Sequence, residues 1–183
     1  MNERPILFSA PMIRAILSGA KTQTRRTVHP MHMSITGELL RYPYGEPGDR
    51  LWARETWAHD ADSLEMLRAL VDDIMPTRDY GPYYRATGAY EGSGLRWRPS
   101  IHMPRWASRI TLEVTDVRVE RLQSISEEDA LAEGVDPLEW SGGPANADAR
   151  AAFRELWESI NGKRAPWATN PWVWAISFRR LAK

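Results

Sequence analysis

Residues 108–122 read SRITLEVTDVRVERL, an almost unbroken alternation of apolar and polar side chains. Period two places Ile110, Leu112 and Val114 on one face of a strand and Arg109, Thr111 and Glu113 on the other. The pattern resumes through Val117 and Val119 after a break near Thr115 and Asp116. A half-buried strand of this kind belongs to an antiparallel sheet, and the rest of the chain supplies further strands with helices between them.

Residues 5–28, PILFSAPMIRAILSGAKTQTRRTV, read as strand, helix, strand. Ser9 is placed to cap the helix, Pro11 suits its first turn, and Met12, Ile13, Ile16 and Leu17 fall on one face. Gly19 ends it as a left-handed cap. From Lys21 the period becomes two, with Lys21, Gln23 and Arg25 on one side and Thr22, Thr24 and Arg26 on the other. Neither side is apolar, so at least one is expected to face water or a ligand. YGEPGDRLWARETWA predicts a Pro-Gly turn and a strand over 50–57, with Glu55 on the side of Leu51 and Trp57.

Residues 61–75 carry a helical pattern through Leu64, Leu67, Leu70, Val71 and Ile74, and 83–87 suits a short strand. Residues 60–98 read as an insertion between strands of a single domain spanning 1–183. SISEEDALAEGV predicts a short helix with Ser126 as cap, Asp129 at the capping-box position and Gly134 as terminator. NADARAAFRELWESINGK predicts a stronger helix with Phe153, Leu156, Trp157 and Ile160 on its apolar face, closed by Asn161 and Gly162. NPWVWAISFRRL is a final strand with Trp172, Trp174, Ile176 and Phe178 on one face. Trp157, Trp172 and Trp174 are expected in the core.

Composition narrows the function classes. The 183 residues hold 24 basic and 24 acidic side chains, so no global field draws the chain to nucleic acid or membrane, and any such contact must be a local patch. Cysteine is absent, which removes disulfides, thiolate nucleophiles and thiolate metal sites and suits a reducing cytoplasm. His29, His32, His59 and His102 show no metal-ligand spacing, so neither a metal nor another cofactor is expected. No segment has the ~20 apolar residues of a membrane helix, and MNERPILFSAP lacks the apolar core of a signal peptide.

Three groups of residues carry candidate chemistry. Lys21 with Thr24 suits a base and nucleophile pair, because an amine that is buried or flanked by cations loses its proton more easily, and Arg25 and Arg26 are such cations. Spacing alone fits a solvated strand as well. Glu133 lies in the last turn of its helix, where the dipole disfavours negative charge and suits a general acid; a plain surface glutamate fits the same position. Arg54 and Glu55, framed by Trp52 and Trp57, suit a base held between rings, or a structural ion pair. His102, Arg105 and Trp106 suit a phosphate and a base, or a loop anchored by its tryptophan.

Four segments together resemble the ASCH domain family, a branch of the PUA-like β-barrels. They are Gly19-x-Lys21-Thr22-x-Thr24-x-Arg26 after a helix, GDRLWARETW at 48–57, SISEEDALAEG at 124–134, and the closing NPWVWAISFRRL. The length resembles the longer forms carried by bacteriophages and prophages. The resemblance implies an α+β fold, a mostly antiparallel PUA-like β-barrel with a helix after the first strand and flanking helices. Some small members act as N4-acetylcytidine amidohydrolases. Carried over by motif, their lysine proton acceptor, threonine nucleophile and glutamate proton donor fall on Lys21, Thr24 and Glu133, and a binding arginine on Arg26. Arg25 stands where the small amidohydrolases have an apolar residue, and the 60–98 segment has no counterpart in them.

The resulting expectation is a cytoplasmic hydrolase, host-cytoplasmic if phage-encoded, acting on an N4-acylated cytidine or related nucleoside. Lys21, Thr24 and Glu133 are its catalytic residues, and Arg25, Arg26, Trp52, Arg54, Glu55, Trp57, His102, Arg105 and Trp106 bind substrate. A cleft formed by 21–26, Glu55 and Glu133 is expected to hold them. The alternatives are a non-catalytic RNA, DNA or modified-base binding module, and a ribonuclease. Lys21 and Thr24 lie on opposite faces of a regular strand, so their convergence requires Lys21 to sit in a turn after Gly19.

Overall fold

A computed structural model describes residues 1–29, 43–59, 82–90, 95–136 and 148–182. The expected helix at 61–75 lies outside them. The fold is α+β. The strands are β1 (Glu3–Leu7), β2 (Gln23–Thr27), β3 (Arg50–Arg54), β4 (Trp57–Ala58), β5 (Tyr83–Tyr84), β6 (Thr111–Arg121) and β7 (Trp172–Arg180); the helices are α1 (Ala10–Ser18), α2 (Glu127–Ala132) and α3 (Ala149–Asn161).

Five strands form one sheet in the order β1-β3-β6-β7-β2, and β4 pairs with β5. The sheet is mixed. Arg50 N donates to Asn2 O and Phe8 N to Arg54 O, so β1 and β3 run parallel, whereas β6 with β7 and β7 with β2 are antiparallel. The α+β class is as expected; the closed barrel is not, because β1 and β2 stand at opposite ends of the strand order among the described residues.

The chain divides into two compact units, one of Met1–Arg4, Ala15–Leu51 and Thr111–Lys183, the other of Pro5–Arg14 and Trp52–Ile110. In the first unit β6 holds Leu112 and Val114 inside, and its register on β7 shifts between Val114 and Asp116, where the alternation of the sequence breaks. Ser126 caps α2 by accepting from Asp129 N, and Asp148 caps α3 through Arg150 N and Ala151 N. Phe153 and Trp157 of α3 pack with Leu122, Ile125, Ala130, Val135 and Val173, and the Trp157 indole donates to Ala165 O at 2.7 Å. Burying each such large apolar side chain contributes about 1.5–3 kcal/mol.

Three expectations are corrected in this unit. Trp172 is 42% exposed, its ring beneath the Arg121 guanidinium, because β7 lies between β6 and β2 and buries Val173 to Ile176 on both faces only beyond its first residue. Ile160 is 53% exposed at the end of α3. Strand β2 begins at Gln23 rather than at Lys21, and Gln23, Thr24 and Arg25 are all buried, so neither of its faces is open to solvent there.

In the second unit the expected strand over 50–57 stops at Arg54, and Trp57 and Ala58 pair instead with Tyr84 and Tyr83. Glu55 sits in the break. The expected strand at 83–87 gives way after Tyr84 to a 3-10 turn, Arg85–Thr87. One core cluster here is Trp57, Met103 and Ala107, with Tyr84 against them.

Gly19 and Gly134 close α1 and α2 with φ of 84° and 80°. A Cβ on Gly19 would meet nothing within 4 Å, whereas one on Gly134 would fall 2.8 Å from Lys21 Cβ and 2.9 Å from Ala15 Cβ. Gly19→Ala is therefore expected to cost about 1 kcal/mol from backbone strain alone. Gly134→Ala should cost about 2–4 kcal/mol, strain and overpacking together. Urea unfolding of the two variants checks the order; equal losses would contradict the packing.

Candidate functional site

Three passages of chain meet where α2 ends. Lys21 N donates to Ala15 O at 3.0 Å, Thr22 N to Ala132 O at 2.8 Å, and Phe178 N to Thr22 O at 2.8 Å. Lys21 and Glu133 form an isolated antiparallel bridge before regular pairing begins at Gln23. Lys21 thus occupies the irregular segment after Gly19. The closeness of Gly134 to Lys21 Cβ lets the backbones pass.

The side chains follow. The Lys21 ammonium donates to Glu133 Oε2 at 2.6 Å and to the Glu133 carbonyl at 2.8 Å, with both residues at most 3% exposed. Arg25 Nη1 donates to the other carboxylate oxygen, Oε1, at 3.3 Å. Arg25 is itself held on every nitrogen: Nη1 by Gln23 Oε1 at 2.6 Å, Nε and Nη2 by Glu120 Oε1 at 3.0 and 2.6 Å, and Nη2 also by Asp129 Oδ2 at 2.8 Å. Gln23 donates to Asp129 and Ser177, and Arg118 reaches Asp129 and Asp116. The candidate binding residue Arg25 therefore points into this network, stacked at 5.8 Å over Phe153.

Burial, the largest cause, lowers the Lys21 pKa; the Arg26 and then the Arg25 charge add to this, while Glu133 opposes it. The expected depression by two arginines is thus present, and burial leads it. Asp129 is held below the usual carboxylate range despite its burial, by Gln23, Arg25 and Arg118. Arg26 donates to Arg25 O and interacts electrostatically with Glu133 and Tyr44, whose phenol burial pushes up.

Thr24 lies on the opposite face of β2 from Gln23 and Arg25. It is fully buried, and its hydroxyl has no hydrogen-bond partner among the described residues. Lys21 and Glu133 are thus brought into contact, and Thr24 is not hydrogen-bonded to either.

The remaining candidates belong to the second unit. Glu55, 1% exposed, is gripped by Arg109 through Nε at 2.9 Å and Nη2 at 3.0 Å. Arg109, not Arg54, is its partner; Arg54 donates to Ile101 O. Burial pushes the Glu55 carboxyl up, and Arg109 opposes it. Arg109 also lies 4.0 Å above the Tyr84 ring. Trp52 is flanked by the guanidinium groups of Arg54 and Arg105 at 5.4 and 5.8 Å. His102 and Arg105 are exposed, and Trp106, 64% exposed, meets Trp57 and His59 edge to face.

Sequence reasoning missed Gln23, Glu120, Asp129, Arg118 and Arg109 as members of these sites. One signal was available: Asp129 and Glu133 are four apart and share a helix face. Another is that only Lys21, Lys163 and Lys183 are lysines among the 24 basic residues, so a lysine beside two arginines is conspicuous. Among the described residues no group of three or more His, Asp or Glu side chains is placed to hold a metal. No described helix is long and apolar enough to cross a membrane.

No protein-family model and no curated protein matches the chain. Among solved structures it is similar to a DUF984 protein from Enterococcus faecalis V583, at 11% identity and a TM-score of 0.45, over 99% of this chain and 80% of that one. It is also similar to the ASCH domain from Lactobacillus crispatus JV V101, at 14% identity and a TM-score of 0.43, over 98% and 79% of the two chains.

Removing one member of a buried pair leaves the other charge uncompensated. Glu133→Gln is expected to cost about 3–5 kcal/mol, and Lys21→Met/Glu133→Leu together less than that. The sign of the pH effect follows from the lowered Lys21 pKa. Between its folded value and its ordinary 10.5 the unfolded chain binds more protons, so stability gains with rising pH. Urea unfolding at several pH values should show this rise in the wild type and a weaker one in Lys21→Met.

Proposed function

We propose that the chain is a hydrolase that removes an acyl group from the exocyclic amine of an N4-acylated cytidine or a related nucleoside. The observation that carries this reading is the buried 2.6 Å contact between Lys21 and Glu133 beside a strand whose Thr24 hydroxyl is buried without a partner among the described residues. Buried hydroxyls are normally satisfied, and an exception calls for a reason, of which a catalytic role is one. The motif resemblance assigns the same three residues.

One proton move prepares the pair. Its transfer from Lys21 to Glu133 across 2.6 Å turns ammonium and carboxylate into amine and carboxylic acid, the forms that the chemistry needs. The neutral Lys21 amine takes the Thr24 proton as Thr24 Oγ1 bonds to the acyl carbon. Arg26 is the candidate to hold the oxyanion. The C–N4 bond then breaks, and Glu133 gives its proton to the departing amine. Lys21 then passes its proton back to Glu133. The Lys21 amine takes a proton from water as the water oxygen bonds to the ester carbon, and gives it to Thr24 Oγ1 as the C–Oγ1 bond breaks, releasing the acid and restoring Thr24. The Lys21 amine must swing toward Thr24 in the complex; catalytic hydrogen bonds commonly tighten only when substrate is bound.

Chromatographic assay of N4-acetylcytidine hydrolysis tests this. Thr24→Ala and Lys21→Ala should each lower kcat/KM by about 10²–10⁴-fold, and Thr24→Ser should keep a measurable rate. Wild-type activity in both alanine variants would end the mechanism.

A second reading has its own observation. The exposed Trp106 and the Trp52 ring between two arginines suit stacking and backbone contact with a single strand. If the chain binds single-stranded RNA, Trp106→Ala should weaken binding about tenfold with stability changed by less than about 0.5 kcal/mol. Titration at two salt concentrations reads it; undiminished binding would remove this surface from consideration.

A further inference from the structure

We propose that Arg25 is a positioning residue for Glu133, holding one carboxylate oxygen so that the other stays on Lys21. This deepens the hydrolase reading and rests on it. Arg25 is buried, and no donor nitrogen of its guanidinium is idle: Gln23 Oε1 at 2.6 Å, Glu120 Oε1 at 2.6 and 3.0 Å, and Asp129 Oδ2 at 2.8 Å fix its plane. A planar fork held on three sides cannot follow its fourth partner, so the 3.3 Å contact with Glu133 Oε1 orients the carboxylate rather than Arg25. The anchors come from different elements, Gln23 from β2, Glu120 from β6 and Asp129 from α2, so the carboxylate is positioned by the fold.

The same contact biases the shared proton. Arg25 is a permanent cation, and its charge disfavours the ammonium of Lys21. The other charged groups facing this cluster are Arg26, with Tyr44 beside it, and Asp116, Arg118, Glu120 and Asp129. Arg25 is the group seen to donate to Glu133 Oε1. Arg25→Met would free that oxygen and remove a cation from beside Lys21. Loss of that cation favours the protonated lysine.

The test is a titration of Lys21 by NMR with lysine labelled at the ε-carbon; three lysines give three signals, and Lys21→Met assigns the one of interest. In folded Arg25→Met the Lys21 midpoint should move to higher pH, and in Arg25→Lys, which keeps the cation, it should move less. An unmoved midpoint in folded Arg25→Met overturns the proposal. If that variant does not fold, the wild type decides: the Arg25 guanidinium nitrogen signals should shift with the Lys21 midpoint, and no response overturns it. In the N4-acetylcytidine assay, Arg25→Met should lower kcat about tenfold or more with KM within about twofold, and move the acidic limb of the rate profile to higher pH. A wild type without hydrolysis would refute the hydrolase reading instead, and the titration would still decide whether Arg25 governs the pair.

Discussion

A lysine and a glutamate buried together at 2.6 Å are the constraint on which the first unit depends. Removing two charges from water costs several kcal/mol each, and attraction offsets it only if the remaining hydrogen-bonding capacity is met. The surroundings do most of this: Lys21 places two of its three donors on Glu133, whose second oxygen is taken by Arg25. The backbone obeys the same demand. Helix α2 must end at Gly134 for Lys21 to pass, and β2 must wait until Gln23 to begin.

An apolar pair of similar volume would often serve stability equally well, so the retention of these charges asks for another reason. The choice of lysine supplies part of it. The chain uses arginine almost everywhere it needs a cation, and an arginine at position 21 would stay charged under all ordinary conditions. A lysine gives up its proton when buried beside other cations, and here burial, Arg26 and Arg25 all press in that direction. A position that needed only a salt bridge would not require the one side chain able to leave it.

The legible parts of the sequence were those governed by local rules. Alternation at 110–119 marked β6 and its break, Ser126 and Asp129 marked the start of α2, and Gly19 and Gly134 marked helix ends. What escaped depends on which strand lies beside which. Trp172 belongs to an alternating apolar set yet is exposed at the end of β7, and Glu55 pairs with Arg109, 54 positions away. The polar strand β2 was the hardest case, because its burial comes from Glu120, Asp129 and Glu133, none adjacent to it in sequence. An inward Arg25 cannot be told from a solvated one by period two alone.

The two buried carboxylates differ in what they can do. Glu55 is held by an arginine fork, and since that partner never yields a proton, the pair is confined to fixed charge and shape. Glu133 is held by a lysine whose pKa burial lowers, a partner that can give up its proton. The titratable cation thus lies in the first unit, and the second unit carries Trp52 between two arginines and the exposed Trp106. The difference rests on cation type: of the cations around Glu133, Lys21 is the one whose side chain can give up a proton, and burial and its arginine neighbours lower its pKa.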